Sequence, residues 1–246
     1  MNTLLNKNYL VRRINDPYNI WIIDNFLTEE TISEIYNEWP SNDDSRWHRG
    51  HEYINGKQNI LENKMLAISK ESLFPNRSKE LLKYFHSEDF CNYIGKLLNI
   101  DSLICDFSMR WSGLRMILAG GYQLVHSDAR LNPETKLRKE LTCLLYLNKN
   151  YDKDRNEGCL EIWDDSMTLK THDIEPIYNR MTIFLNSDTS FHGVPIVKID
   201  RKAITFSILK EGTNNQRTKA LFVKRPQDPD SVQEEGVKRS LMSDKL

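Results

Sequence analysis

The sequence predicts a mainly β fold, a sandwich or barrel of many short strands with helices packed beside it. Three observations carry this. From about residue 103, short apolar runs follow one another at 103–109, 114–118, 122–128, 140–147, 159–163, 181–185, 195–199 and 203–209. Turn formers separate them at Gly120-Gly121, Asn132-Pro133, 148–158, 186–188 and Asp200. No βαβ alternation and no internal repeat runs along the chain, which argues against a Rossmann or TIM architecture.

Earlier elements follow the same logic. Residues 20–27 form a short, apolar, β-branched strand. Thr28 then stands as a helix N-cap, with Glu29 and Glu30 in the first turn, where the helix dipole favours acids. Ile32, Ile35, Tyr36 and Trp39 follow at helical spacing, and Pro40 stops the run. Residues 41–60 are polar and rich in Asn, Asp and Gly, which reads as a loop or an irregular hairpin. A second capped helix starts at Ser87, with Phe90, Tyr93, Ile94, Leu97 and Leu98 as its apolar stripe. From about 226 the chain is polar, with Pro226, Pro229 and mixed charge, and reads as a loosely ordered tail. The division expected is a helical and β flank at 1–105, a core at 106–226 and a tail at 227–246, all in one domain.

Composition bounds the function. A length of 246 residues suits one large domain, and 39% hydrophobic with 10% aromatic residues suffices for a core. Thirty-four basic residues against 35 acidic ones leave a net charge of −1, without the broad cationic field of a nucleic-acid binder. No apolar run approaches the ~18–20 residues that cross a bilayer. The polar N-terminus has no signal-peptide core. Neither a membrane nor a nucleic acid is therefore expected as a partner. Cys91, Cys105, Cys143 and Cys159 show no CxxC spacing, and three lie in apolar runs. They read as buried free thiols of a reducing, cytoplasmic setting, not as a disulfide framework or zinc ribbon.

The sharpest chemical feature is His126-Ser127-Asp128. On a strand, residues i and i+2 share a face, so imidazole and carboxylate project together. Phe191-His192-Gly193 adds a second histidine beside another strand. Two histidines and one carboxylate make the facial triad suited to non-haem Fe(II): three ligands on one side leave three positions for a chelating cosubstrate and dioxygen. An isolated HxD pair is more often a surface or capping feature. Arg201, nine residues after His192 at the start of the 203–209 run, changes the balance. Its guanidinium can pair bidentately with the distal carboxylate of a bound dicarboxylate.

The pattern HxD…H…R on a many-stranded β domain resembles the Fe(II)/2-oxoglutarate dioxygenases, in their prolyl-hydroxylase-like branch. The runs 141–148, Tyr151-Asp152, 157–163, 173–184, Ser187-Asp188 and 191–195 are similar to the oxygen-sensing prolyl hydroxylases and their bacterial and viral relatives. Residues 25–30 resemble the strand-to-helix entry of that branch, and 220–226 a C-terminal element of its bacterial members. The similarity covers 106–226 and, more faintly, 20–40, and hardly touches 41–105.

The resemblance implies a double-stranded β-helix, the jelly roll of the cupin-like folds. It implies His126, Asp128 and His192 as iron ligands and Arg201 as partner of the 2-oxoglutarate C5 carboxylate. Tyr146 sits where the branch places a tyrosine hydroxyl on that carboxylate. Thr205, four residues after Arg201, faces the same side of an extended run and is a further contact near the cosubstrate. Fe(II), 2-oxoglutarate and O2 are the implied cofactors, with ascorbate a candidate reductant. Departures also stand out. Cys159 replaces a second glycine after Gly158. Met116 occupies the place, ten residues before the first histidine, where the oxygen-sensing relatives carry a tyrosine, so a cosubstrate contact is lost or comes from elsewhere, with Tyr122 nearby. The linker from Asp128 to Thr142 is longer and carries Arg130, Lys136, Arg138 and Lys139, as a lid over the substrate or a solvated loop. His48 and His51 lack a third ligand and read as surface or substrate-edge residues. His86 and His172 receive no role.

The implied function is oxidative decarboxylation of 2-oxoglutarate to succinate and CO2, coupled to hydroxylation of a C–H bond. The expected substrate is a prolyl residue in a protein or peptide, with loops 41–60 and 129–140 shaping a groove. The alternative is a small molecule: a free amino acid, a sugar or a secondary-metabolite intermediate. A non-catalytic jelly-roll binding protein is the third reading, and it has no need of His126, Asp128, His192 and Arg201 together.

Overall fold

In the computed structural model, residues 4–49, 51–54, 57–60, 64–212 and 216–234 are described. The first third supplies β1 (Leu10–Ile14), β2 (Ile20–Asp24), α1 (Glu29–Asn37), β3 (His48–Arg49), β4 (His51–Ile54), β5 (Lys57–Ile60), β6 (Met65–Ile68), α2 (Asn76–Phe85) and α3 (Glu88–Leu98). The remainder is mostly strand. It comprises β7 (Ile104–Cys105), β8 (Gly113–Ile117), β9 (Gln123–Ser127), β10 (Arg138–Tyr146), a single turn α4 (Lys153–Asn156) and β11 (Leu160–Trp163). β12 (Lys170–Ile174), β13 (Met181–Leu185), β14 (His192–Val194), β15 (Arg201–Lys210) and β16 (Leu221–Phe222) complete it.

The helices start where their caps are. Thr28 Oγ1 accepts from Thr31 N at 3.3 Å ahead of α1, and Ser87 Oγ from Phe90 N at 3.2 Å ahead of α3. The helix α2 was not expected, and its capping explains why. Pro75 precedes it with no side-chain cap of its own. Instead Glu38, at the end of α1, accepts from Ser78 N (2.6 Å) and Arg77 N (3.0 Å). A carboxylate from 40 residues upstream satisfies the orphan donors of the first turn, so no local signal marks this start.

The strands form two antiparallel sheets. The larger runs β1-β2-β13-β10-β15-β8-β6-β3, with β7 also on β15, and the smaller runs β12-β11-β14-β9-β16. A separate hairpin pairs β4 with β5, within the segment read as a loop or irregular hairpin. Ile20, Ile22 and Phe184 of the larger sheet pack against Leu160, Ile162 and Ile174 of the smaller one, giving the face-to-face jelly roll. On its other side the larger sheet buries Leu114, Cys143, Ile204 and Phe206 against α2 and α3, where Phe206 stacks on Phe85 at 4.4 Å.

Two expected strands differ. The run 195–199 is not a strand; pairing ends at Val194, because Pro195 has no N–H to continue the ladder. The run 103–109 shortens to Ile104–Cys105, since Asp106 Oδ1 accepts from Ser108 N at 3.1 Å and turns the chain. All four cysteines are buried and free. Among the described residues no helix is long and apolar enough to cross a membrane. Residues 226–234 fold back through Gln233, which donates to Phe222 O at 2.9 Å, while 235–246 of the expected tail lie outside the described residues.

Candidate metal centre and its pocket

A cavity of about 230 Å³ opens between the two sheets. His126 and His192 face each other across the β9–β14 pair, with ring centroids 4.5 Å apart. The register shifts there: Gly193 opposes both Leu124 and Val125, a bulge that turns Gln123 as well as His126 into the cavity. A Cβ on Gly193 would lie 3.1 Å from Val125 Cα, so the close approach of the two strands requires glycine. Asp128 follows two residues after His126, its Oδ1 3.6 Å from His126 Nε2. One donor atom from each of His126, Asp128 and His192 lies within 4.8 Å of the others.

Hydrogen bonds fix how these groups present themselves. His126 Nδ1 donates to Leu124 O (2.8 Å) and His192 Nδ1 to Ser190 O (2.9 Å), which leaves both Nε2 lone pairs toward the cavity. Burial and then the neighbouring His126 push His192 down to about 4, so it is a neutral donor near pH 7. Burial pushes the Asp128 carboxyl up, but Lys139, His126 and His192 outweigh it and hold it well below the usual carboxylate range. Asp128 Oδ2 accepts from Thr142 Oγ1 (2.8 Å) and Lys139 Nζ (3.2 Å). With its amide turned so that nitrogen faces the acceptors, Asn186 adds a third bond at 3.2 Å. Oδ1 is thereby left for a metal. Two imidazoles and a carboxylate, each oriented from behind, are the donor set of a divalent first-row ion, so the residues present fit Fe(II). Aromatic rings back the histidines: Phe184 lies 4.7 Å from His192 and Phe222 5.4 Å from His126, between ring centroids. The second of these comes from β16, within the C-terminal element noted at 220–226.

At the far end of the cavity stands Arg201, 7% exposed. Its Nε donates to Gly158 O (2.9 Å) and its Nη2 to the Tyr146 hydroxyl (3.3 Å), and it lies over the Tyr146 ring at 4.9 Å. Tyr146 is wholly buried. Burial raises its phenol above the ordinary value, and Arg201 partly offsets this. No carboxylate side chain among the described residues pairs with Arg201. Thr205 lines the cavity on the same face, in unbroken register with β8.

Other residues fall differently from expectation. Met116 is buried under the helices, and its neighbour Arg115 takes the cavity side. Tyr122 is not part of the lining. Lys139 belongs to no lid or solvated loop: it is buried on β10, against Asp128 and 4.5 Å from the Trp111 ring centroid. Arg138 pairs with Glu140 (2.9 Å) and Arg130 with Asp188 (3.5 Å). His48 is exposed, and the His51 side chain lies outside the described residues. His86 bonds Ser112 Oγ (2.8 Å) and His172 bonds Thr171 Oγ1 (3.0 Å), each away from the triad. Sequence reading missed Arg115, Trp111 and the role of Lys139. The signal for Arg115 was alternation, a lone charge between Leu114 and Met116 in a buried strand. A larger groove of about 470 Å³ near β1 and β12 holds ion pairs such as Arg180 with Asp24 (3.0 Å) and, among the described residues, no metal-ligating cluster.

Residues 112–208 match the 2OG-Fe(II) oxygenase superfamily. Among solved structures, a Pseudomonas putida prolyl-4-hydroxylase is similar at 15% identity and TM-score 0.56, over 78% of this chain and 92% of that one. A Trichoplax adhaerens prolyl hydroxylase, solved with a hypoxia inducible factor peptide fragment, is 19% identical with TM-score 0.52 over 78% and 84%. A Phytophthora capsici prolyl 4-hydroxylase gives 17% and 0.53 over 89% and 68%. At these identities the likeness establishes the jelly-roll fold. No curated protein matches the chain by sequence.

Proposed function

We propose that the 2OG-Fe(II) oxygenase domain of residues 112–208 makes this chain a 2-oxoglutarate-dependent dioxygenase that hydroxylates a C–H bond, with a peptide prolyl residue as the first substrate class and a small molecule as the second. The observation that carries this is one cavity with the His126, Asp128 and His192 donors at one end and Arg201, buried with no carboxylate partner among the described residues, at the other. A buried guanidinium without counter-charge is costly, and a dicarboxylate cosubstrate spanning the cavity supplies that charge.

His126 Nε2, Asp128 Oδ1 and His192 Nε2 would hold Fe(II). When bound, iron and 2-oxoglutarate supply the oxidising chemistry, converting 2-oxoglutarate and O2 to succinate and CO2 as one oxygen atom enters the substrate C–H bond. The chain's own groups position and shield. Thr142, Lys139 and Asn186 hold one oxygen of the Asp128 carboxylate, so that the other would be free for the metal. Arg201 would orient the distal carboxylate, while Tyr146 holds the guanidinium plane and its hydroxyl would serve the same group. Leu144, Leu160 and Val194 line the walls and exclude water. Four buried free thiols support a reducing, cytoplasmic setting.

The test is turnover. The protein with Fe(II), ascorbate and 2-oxoglutarate is offered proline-containing peptides, then free amino acids, with succinate and product mass read out. A mass gain of one oxygen on a substrate, coupled to succinate and absent in His126→Ala, supports the reading. Succinate formation that persists in His126→Ala contradicts it.

A further inference from the structure

Arg115 lies in the middle of β8, opposite Ala203, and lines the cavity. Gly113, opposite Thr205, has φ +134°, a conformation that side chains disfavour. A Cβ there would stand 2.1 Å from Ile68 O and 3.1 Å from Arg115 Nη1. The glycine thus leaves room for the guanidinium to fold back along its own strand, where Nη1 donates to Leu114 O (3.0 Å) and Nη2 to Ser112 O (3.4 Å).

That direction matters. Arg201 opposes Ile117, so folding back toward Gly113 runs away from Arg201. On β10 the same direction passes from Tyr146 to Leu144 to Thr142, whose hydroxyl holds Asp128. Arg115 therefore occupies the metal end of the cavity and Arg201 the other end.

Charge then separates their roles. Lys139 is matched by Asp128 (3.2 Å) and Arg110 by Glu134 (2.8 Å). Fe(II) together with the 2-oxoglutarate dianion adds no net charge, so the cationic surplus of Arg115 and Arg201 stays with the cosubstrate bound, and of the two it is Arg201 that is assigned to the distal carboxylate. No carboxylate among the described residues pairs with Arg115, and burial lowers its guanidinium to about 10. Arg115 is then the cavity arginine left without an anionic group to pair with.

We propose that Arg115 binds an oxyanion of the primary substrate, so that the compound hydroxylated carries a carboxylate or phosphate group beside its target carbon. This rests on the reading of the cavity as a 2-oxoglutarate site and, of the two substrate classes named there, favours the small molecule, since a prolyl residue within a peptide carries an amide where the oxyanion would be. The guanidinium fork suits either anion, and its carbonyl contacts fix its plane before binding.

The experiment uses full-length protein loaded with Mn(II) and saturated with 2-oxoglutarate, so that no turnover occurs. Acetate, L-proline and inorganic phosphate are titrated calorimetrically, with L-prolinamide as the probe lacking the carboxylate. At least one anion is expected to bind saturably, with acetate or L-proline pointing to a carboxylate and phosphate to a phosphoryl group, while L-prolinamide does not bind. Arg115→Gln should weaken that anion about tenfold or more and leave 2-oxoglutarate affinity within about twofold, and Arg115→Lys should keep part of the binding. Absence of anion binding by the wild type, or equal binding by Arg115→Gln, overturns the proposal. So does a loss of 2-oxoglutarate affinity in Arg115→Gln, which would place Arg115 on the cosubstrate. If Arg115→Gln fails to fold, Arg115→Lys decides the matter: having lost the fork, it should bind the anion more weakly than the wild type, and equal binding overturns the proposal. Failure of the underlying reading looks different: the Mn(II)-loaded wild type would not bind 2-oxoglutarate at all.

Discussion

Strands β8, β10 and β15 carry two chemically opposed faces. Toward α2 and α3 they bury Leu114, Met116, Cys143, Leu145, Ile204 and Phe206, with Phe90 meeting Phe206 edge-on at 5.8 Å. Toward the smaller sheet the same strands present Arg115, Thr142, Arg201 and Thr205 to the cavity. The helix-side face is where burial stabilises the fold, at about 25 cal/mol per Å² of apolar surface removed from water. The cavity face holds cations and a carboxylate whose desolvation costs stability unless a ligand is present. Stability and chemistry are thus separated by the pleat alone. A one-residue slip of β8 would send Arg115 into the core and Met116 into the cavity, so the apolar face also fixes the register of the site.

The largest effect that tests this separation is on the apolar side. Phe206→Ala should cost about 3–5 kcal/mol of unfolding free energy, read from urea denaturation, while the folded protein keeps its 2-oxoglutarate affinity. A loss below about 1 kcal/mol would mean that the helices do not support the sheet as their packing suggests. On the cavity side, Arg201→Ala should cost about 2–5 kcal/mol of cosubstrate binding, a weakening of about thirtyfold or more, with metal content and melting temperature preserved. Arg201→Lys should recover only part, since it restores charge without the fork. Wild-type 2-oxoglutarate affinity in Arg201→Ala would assign the distal carboxylate to another residue.

Each face also holds a histidine that folding keeps neutral. Burial pushes both His86, beside Phe206, and His192 from the ordinary value of 6.5 down to about 4. The unfolded chain therefore binds more protons between those values, so their contribution is present above about pH 6.5 and is lost as pH falls toward 4. Metal-free protein should show that decline in melting temperature, and His86→Gln should flatten it. An unchanged profile in His86→Gln would remove the apolar face from the explanation. The smallest effect concerns the strand behind His126. Gln233 accepts from Lys224 N (3.0 Å) and donates to Phe222 O (2.9 Å), so Gln233→Ala should cost about 1 kcal/mol and leave metal binding intact.

What the sequence made legible follows from where each signal resides. Thr28 and Ser87 cap their helices through bonds three residues away, so the starts could be read locally. The long apolar runs of β10 and β15 announced strands, and His126 and Asp128, two residues apart, do share the cavity. Signals that depend on distant partners were hidden. The cap of α2 comes from Glu38, and Lys139 reads as one of four loop cations until β10 brings it to Asp128. Counting residues back from His126 drew attention to Met116, whereas strand alternation places Arg115 on the cavity face. The expected strand at 195–199 failed because the pairing segment is the three residues before Pro195.

Calorimetric titration of 2-oxoglutarate into the full-length protein, with and without Mn(II), tests most directly whether the polar face is a metal and cosubstrate site. One 2-oxoglutarate per chain, bound only when Mn(II) is present and lost together with Mn(II) in His126→Ala, is the expected result. Binding that is independent of the metal, or no binding with the metal in place, would contradict it.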